Sequence, residues 1–252
     1  MDYAQSRLQA RFGDRPDESL WLELEAAPNP AAALDIARSS GLRRWVVEIP
    51  PRAASHEIEL ALRQRWRECV SEVASWAPER WQPALLWTRG LVDLPALCHL
   101  ARGEAPLHWM SDDAVLQIYA RADAAARAAR LRDDCREIVV AALGTADHPG
   151  SPALPGPSQI CQAWLEEWRQ RWPRWGDMAS LENLAGLFQA AMKQPARIGR
   201  PELNRKLRSL FRCSVLNPVA AFIYIAFAAL DIERLRAGLL QHALADEGIT
   251  SS

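Results

Sequence analysis

Alternation of Val, Ile and Thr with polar residues is scarce in this chain, which argues against a sheet-based fold. Long apolar runs are missing too. The best candidate, Val219 to Leu230, has 12 residues, whereas a membrane-spanning helix needs roughly 20. That stretch is read as a buried core helix. The opening Met1-Asp2-Tyr3-Ala4-Gln5 carries no secretory or transit pattern, so a cytoplasmic chain is expected. Formal net charge is only -1, which gives no global attraction to nucleic acid or anionic lipid. Phosphate-cradling glycine patterns are absent: neither Gly-x-x-x-x-Gly-Lys nor Gly-x-Gly-x-x-Gly occurs. Gly-x-Ser-x-Gly, the strained turn that exposes a serine nucleophile, is absent as well. The histidines at 56, 99, 108, 148 and 242 stand alone, none at zinc-ligand spacing from Cys or His. No catalytic residue, metal ligand or cofactor is therefore assigned.

What remains is helix-forming sequence. Ala, Leu, Arg and Glu crowd nearly every window, and 49% of the 252 residues are apolar, enough for a sizeable core. The expected class is all-α. Asp17, Asn29-Pro30 and Asn217-Pro218 are helix starts, and Gly13, Gly41 and Gly103 are stops. A long helix from about Ser55 carries Ile58, Leu62, Trp66, Cys69, Val70, Val73 and Trp76 at steps of three and four. An Ala-Arg-rich helix is expected from about Asp123 to Leu143. Residues 144 to 157, rich in Pro and Gly, cannot be helical and read as a linker between an N-terminal lobe, 1–143, and a C-terminal lobe, 158–252.

A short cassette recurs three times: Asp93-Leu94-x-x-Leu97-x-x-Leu100, Ser180-Leu181-x-Asn183-Leu184-x-x-Leu187 and Asp231-Ile232-x-x-Leu235. Each begins with a residue suited to a helix start and continues with apolar residues at helical spacing. Repeated antiparallel helical units, in a compact or funnel-like bundle, account for this economically. Such packing units point to a mechanical or binding role.

Four further features invite a functional reading. Asp133-Asp134-x-x-Glu137 has the form that holds magnesium against a diphosphate in all-helical terpenoid-type enzymes, but no opposing acidic set follows. With Arg130, Arg132 and Arg136 nearby, a solvated charged face explains it better. Trp164, Trp168 and Trp172, among 11 tryptophans, fall on one helix face and read as core. Five scattered cysteines (69, 98, 135, 161 and 213) each sit in an apolar helical pattern, so buried, reduced thiols are expected. Arg197 to Arg212 holds six basic residues against Glu202, and Arg197, Arg200, Arg205 and Arg208 are candidate partner-binding residues.

The last cassette and its surroundings carry a resemblance. Leu216-Asn217-Pro218-Val219, followed by Ala229-Leu230-Asp231-Ile232-Glu233-Arg234-Leu235-Arg236, resembles the end of the V-type/A-type ATPase central-stalk adaptor family, which has members in prokaryotic and eukaryotic complexes alike. Pro218, Asp231, Ile232, Leu235 and Arg236 match the family's ending, while Arg234 replaces its usual Asn. Asn183, beside Leu184, keeps that Asn in the second cassette; the first, with Asp93 and Leu97, has Ala96 there. Tyr3-Ala4-x-x-Arg7-Leu8-x-x-Arg11-x-Gly13 looks like the family's opening helix. The chain looks like a short, divergent member. The resemblance implies a non-enzymatic rotor part: three helical units about a pseudo-threefold axis, the shaft tip received at one end and the proteolipid ring at the other. Its expected partners are the components of the central shaft and that ring, at the cytoplasmic membrane face, with no nucleic acid involved. The alternatives are a stand-alone helical interaction protein sharing only the architecture and, lower, a magnesium-dependent enzyme of the terpenoid type.

Overall fold

The computed structural model describes residues 2–131, 157–173, 178–193 and 199–250. Among the described residues the chain is all-α, without strands. It divides into two compact units: Met1–Pro78 with Leu207–Ser252, and Glu79–Lys206. Residues 207–252 thus group with the N-terminal part rather than with 158–206. The expected linker at 144–157 lies outside the described residues, apart from Pro157 at the start of a helix.

The first unit contains α1 (Asp2–Gly13), α2 (Glu18–Glu25), α3 (Pro30–Arg38), the single turn α4 (Arg43–Val46) and α5 (Ser55–Trp76). Its caps are those read from sequence. Asp17 accepts a hydrogen bond from the Leu20 N–H at 2.9 Å, and Asn29 accepts one from Ala32 at 2.9 Å with Pro30 as first helical residue. These caps satisfy amide donors that the helix itself cannot. Along α5 the expected stripe is buried from Ile58 through Val73, while Trp76 is half-buried beneath the Arg7 guanidinium, 5.4 Å from its ring.

α13 (Val219–Thr250) completes this unit. It packs along α5 and touches α1 and α3. All ten residues from Val219 to Ala228 are buried, which explains why this segment is apolar on every side. Beyond it, Ile232, Leu235, Leu239 and Ala243 continue a one-sided buried stripe. No helix among the described residues is long and apolar enough to cross a membrane. A helix start at Asp231, expected from the third cassette, is not found: Asp231 lies inside the continuous 32-residue α13. Its carboxylate serves a tertiary partner instead of a helix end.

The second unit starts with short pieces: a 3₁₀ turn Glu79–Trp81, α6 (Gln82–Trp87), a 3₁₀ stretch Thr88–Val92 and α7 (Leu94–Ala101), closed by Gly103 at φ 79°. That left-handed φ is the conformation glycine supplies cheaply at a helix end. Asp93 sits at the start of α7, but its side chain does not cap that helix. A 3₁₀ turn His108–Ser111, α8 (Gln117–Ala120) and α9, helical over 124–131, follow. Ala96, Leu100, Met110, Leu116, Tyr119 and Leu131 form one core cluster here. α10 (Pro157–Gln170) packs on α6, α7 and α11 (Ala179–Lys193). α12 (Arg200–Cys213) then leads toward α13.

The tryptophan stripe behaves as core. Trp164 and Trp168 are buried with ring centroids 6.1 Å apart, and Trp87 stacks on Trp164 at 6.3 Å. Trp168 donates from Nε1 to the Ala84 carbonyl at 3.1 Å, so its polar edge is satisfied inside the core. Trp172 lies just past the end of α10, half-buried and edge-on to Trp168 at 5.0 Å. Trp175 is outside the described residues.

Candidate functional site

The basic residues singled out on α12 are only partly assembled. Arg197 lies outside the described residues. Arg200 is half-buried near the helix start, and Arg205 is 78% exposed, 3.9 Å from Glu202, which also holds Lys206 at 3.0 Å. Both pairs are solvated helix-surface contacts of small energetic weight. Arg208 and Arg212 are exposed and belong to the first unit. Cys213 is exposed also, contrary to the expectation that every cysteine would be buried: at the last position of α12 it lies off the buried Leu203–Leu207–Phe211 stripe.

At the end of α12 the chain makes the turn 214–217. Leu216 adopts φ 58°, the left-handed region disfavoured for a side chain with a Cβ. Val215 is 56% and Leu216 51% exposed, so neither gains burial in exchange for that conformation. The Leu216 N–H donates to Gln5 Oε1 at 3.2 Å, which fixes the turn against α1. On α1, Tyr3 is 62% exposed, with the Arg7 guanidinium 4.8 Å above its ring. The first unit therefore exposes apolar side chains at the 214–217 turn, which a defined hydrogen bond joins to α1, and an aromatic ring beside a cation on α1 itself. Sequence reasoning read Leu216 and Tyr3 only as motif positions. No pattern in a single sequence announces a left-handed leucine.

The remaining motif residues are structural. Asp231 forms a bidentate pair with Arg15, whose Nε and Nη2 donate to its two carboxylate oxygens at 2.7 Å each. The Arg15 and Asp231 side chains are 8% and 6% exposed, and the Arg15 guanidinium also lies 4.1 Å from the Phe227 ring centroid. Arg236 donates to both oxygens of Glu59 at 3.2 Å, and Arg63 reaches the same carboxylate at 3.4 Å. Arg234, in place of the family's Asn, bridges Glu18 and Glu25 on α2 at 2.8 Å each. These contacts tie α13 to α2, α5 and the segment after α1. Leu235 and Leu184 are buried, Leu97 and Pro218 half-buried, Asn183 exposed. Asp93, like Asp231, is buried, so the first and third cassettes share a buried acid at the same position.

In the second unit two thiols come together. Cys98 on α7 is buried, Cys161 on α10 is half-buried, and both belong to one small cluster with Ala101 and Ile160. A hydrogen bond from Cys98 stabilises the Cys161 thiolate and brings its pKa down to about 7, against the opposing effect of burial. Cys69, in contrast, is pushed up to about 11 by burial. Alkylation by iodoacetamide is therefore expected to accelerate at Cys161 as pH rises through about 7, while Cys69 stays unreactive across the neutral range. Mass-spectrometric mapping of the labelled sites between about pH 6 and pH 9 checks this. Equal rates at the two thiols would contradict it.

Among the described residues, no group of three or more His, Cys, Asp or Glu side chains is arranged to hold a metal ion. Asp133, Asp134, Glu137, His148 and Cys135 lie outside the described residues. Compared with known proteins, the chain matches no family model, no curated protein and no solved structure.

Proposed function

We propose that this chain is a non-catalytic helical adaptor of a V/A-type rotary ATPase, coupling the rotating shaft to the membrane proteolipid ring at the cytoplasmic membrane face. The observation that carries the reading is the union of the two stretches in which the resemblance resides. The opening helix and the Asp231–Arg236 segment are more than 200 positions apart, yet α1 and α13 pack together in one unit, with Phe12 and Phe227 at 5.1 Å and the Arg15–Asp231 pair at 2.7 Å alongside. The motif acid Asp231, buried in an ion pair, and the motif leucines Leu184 and Leu235, buried in the core, suit a family pattern set by packing. A torque-bearing part needs stiffness and broad contact more than any reactive group. Close-packed helices deform little. The exposed Tyr3 beneath Arg7, and the exposed Val215 and Leu216, supply apolar and cationic surface of the kind found at protein contacts.

Capture of shaft and ring components from the same source by the tagged chain tests this proposal. The wild type is expected to retain both at about 0.15 M salt. The double variant Arg205→Glu, Arg208→Glu is expected to lose at least one of them while keeping its helix content and unfolding midpoint. Failure of the wild type to retain either component would refute the adaptor reading. Undiminished capture by the charge-reversed variant would refute the role given to α12.

A further inference from the structure

A second feature of the first unit is independent of the adaptor reading. Arg11 on α1 and Arg43 and Arg44 on α4 line an open cavity of about 550 Å³, together with Asp14, Ser40 and Gly41. Three arginines and one acidic residue, Asp14, thus share the lining. Arg11 is partly engaged, donating to Glu72 at 2.8 Å. Arg43 is exposed at the rim.

Arg44 is the informative member. Its guanidinium lies 4.6 Å from the Trp45 ring centroid and 5.7 Å from that of Tyr224, and one terminal nitrogen donates to the Tyr224 hydroxyl. Its Nε is buried and has no hydrogen-bond partner. Among the described residues no carboxylate hydrogen-bonds to this guanidinium; burial disfavours its charge, but the Tyr224 hydroxyl and the more distant Asp231 carboxylate hold it charged. A phosphate in the cavity would add a closer negative charge to this desolvated guanidinium. A planar guanidinium is also the side chain best suited to grip phosphate oxygens in pairs. At the cavity wall the residue after α1 and the turn before α4 approach very closely. A Cβ built on Gly41 would fall 1.7 Å from the Asp14 carbonyl oxygen, so only glycine lets these two backbones meet.

We propose that this cavity is a binding site for a phosphate monoester. With Arg11 paired to Glu72, Arg43 and Arg44 exceed Asp14 by one positive charge, which the phosphate offsets. Arg44 and Arg43 grip its oxygens, and Arg11 adds field from the opposite side. The Asp14 carboxylate repels a second anionic group and accepts a hydrogen bond from a hydroxyl next to the phosphate, which favours esters of polyols. A free sugar phosphate and a phosphorylated inositol lipid headgroup share this chemistry.

Calorimetric titration of the full chain with glycerol phosphate at about 0.15 M salt tests the site, with Arg43→Gln as the variant, because Arg43 is exposed and supports no core packing. Saturable binding at one site with a Kd below about 1 mM is expected, weakened at least about tenfold in Arg43→Gln. The unfolding midpoint without ligand should be unchanged in that variant. Co-sedimentation with phosphatidylcholine vesicles, with and without phosphatidylinositol phosphate, separates the two sources. Sedimentation that needs the phosphorylated lipid and Arg43 assigns the headgroup, and binding of glycerol phosphate without sedimentation assigns a free ester. No saturable binding at about 10 mM glycerol phosphate, or equal binding by the variant, would overturn the proposal.

Discussion

Replacing Asp231 with alanine is expected to lower stability by about 3–5 kcal/mol, the cost of stranding a buried charge. The carboxylate accepts two hydrogen bonds from Arg15 at 2.7 Å, and both side chains are almost wholly removed from solvent. Alanine removes the carboxylate that meets the guanidinium between Phe12 and Phe227. Removing both charges is a different experiment. In Arg15→Met, Asp231→Leu the cavity is refilled by apolar atoms, and most of the lost stability should return, since a buried pair is often replaceable by well-packed hydrophobes. Urea unfolding of the wild type and these two variants measures this. A loss below about 1 kcal/mol in Asp231→Ala would mean that the pair is solvated in solution and does not hold α13 to the segment after α1.

Gly41→Ala is expected to cost about 3 kcal/mol or more, at the upper end of overpacking effects. The added methyl would sit 1.7 Å from the Asp14 carbonyl oxygen and 2.9 Å from its carbon. A flexible side chain could swing away, but a backbone carbonyl between two helices must drag its neighbours with it. Arg11 and Arg44 would separate as a consequence, so glycerol phosphate binding should fall together with stability. Gly238→Ala is the natural control. Gly238 lies within α13 with nothing inside 4 Å of its added Cβ, and the change should stabilise by about 0.5–1 kcal/mol through helix propensity. Comparable urea midpoints for Gly41→Ala and the wild type would contradict the close approach of the two backbones.

Local signals are legible wherever they act within one turn of chain. The Asp17 and Asn29 caps, the stop at Gly103 and the α5 stripe follow from periodicity and capping chemistry, and the all-α class follows from their sum; α3 ends at Arg38 with Ser39 as its cap, ahead of the stop expected at Gly41. Sequence patterns mislead where a residue serves a distant partner. Asp231 has the chemistry of a helix start, but Arg15, 216 positions away, uses its carboxylate, so the helix runs through. Glu59 and Arg63 have the spacing of an ordinary surface pair, yet both are buried because Arg236 arrives from α13. The grouping of 207–252 with 1–78 has the same origin: the apolar start of α13 finds its cover on α5, which no linker composition announces. Of the candidate sites, the basic run on α12 is visible as charge. The cavity at Arg44 is not, because its cations come from segments about thirty positions apart and meet through the contact of Gly41 with Asp14.

Coupling, not mere attachment, is the claim on which the functional account stands. ATP-driven ion uptake by vesicles carrying the rotary complex, prepared with and without this chain, measures coupling directly. Without the chain, ATP hydrolysis should continue while ion uptake collapses, and adding back the purified protein should restore uptake. Undiminished uptake in its absence, or no recovery on adding it back, would contradict the account.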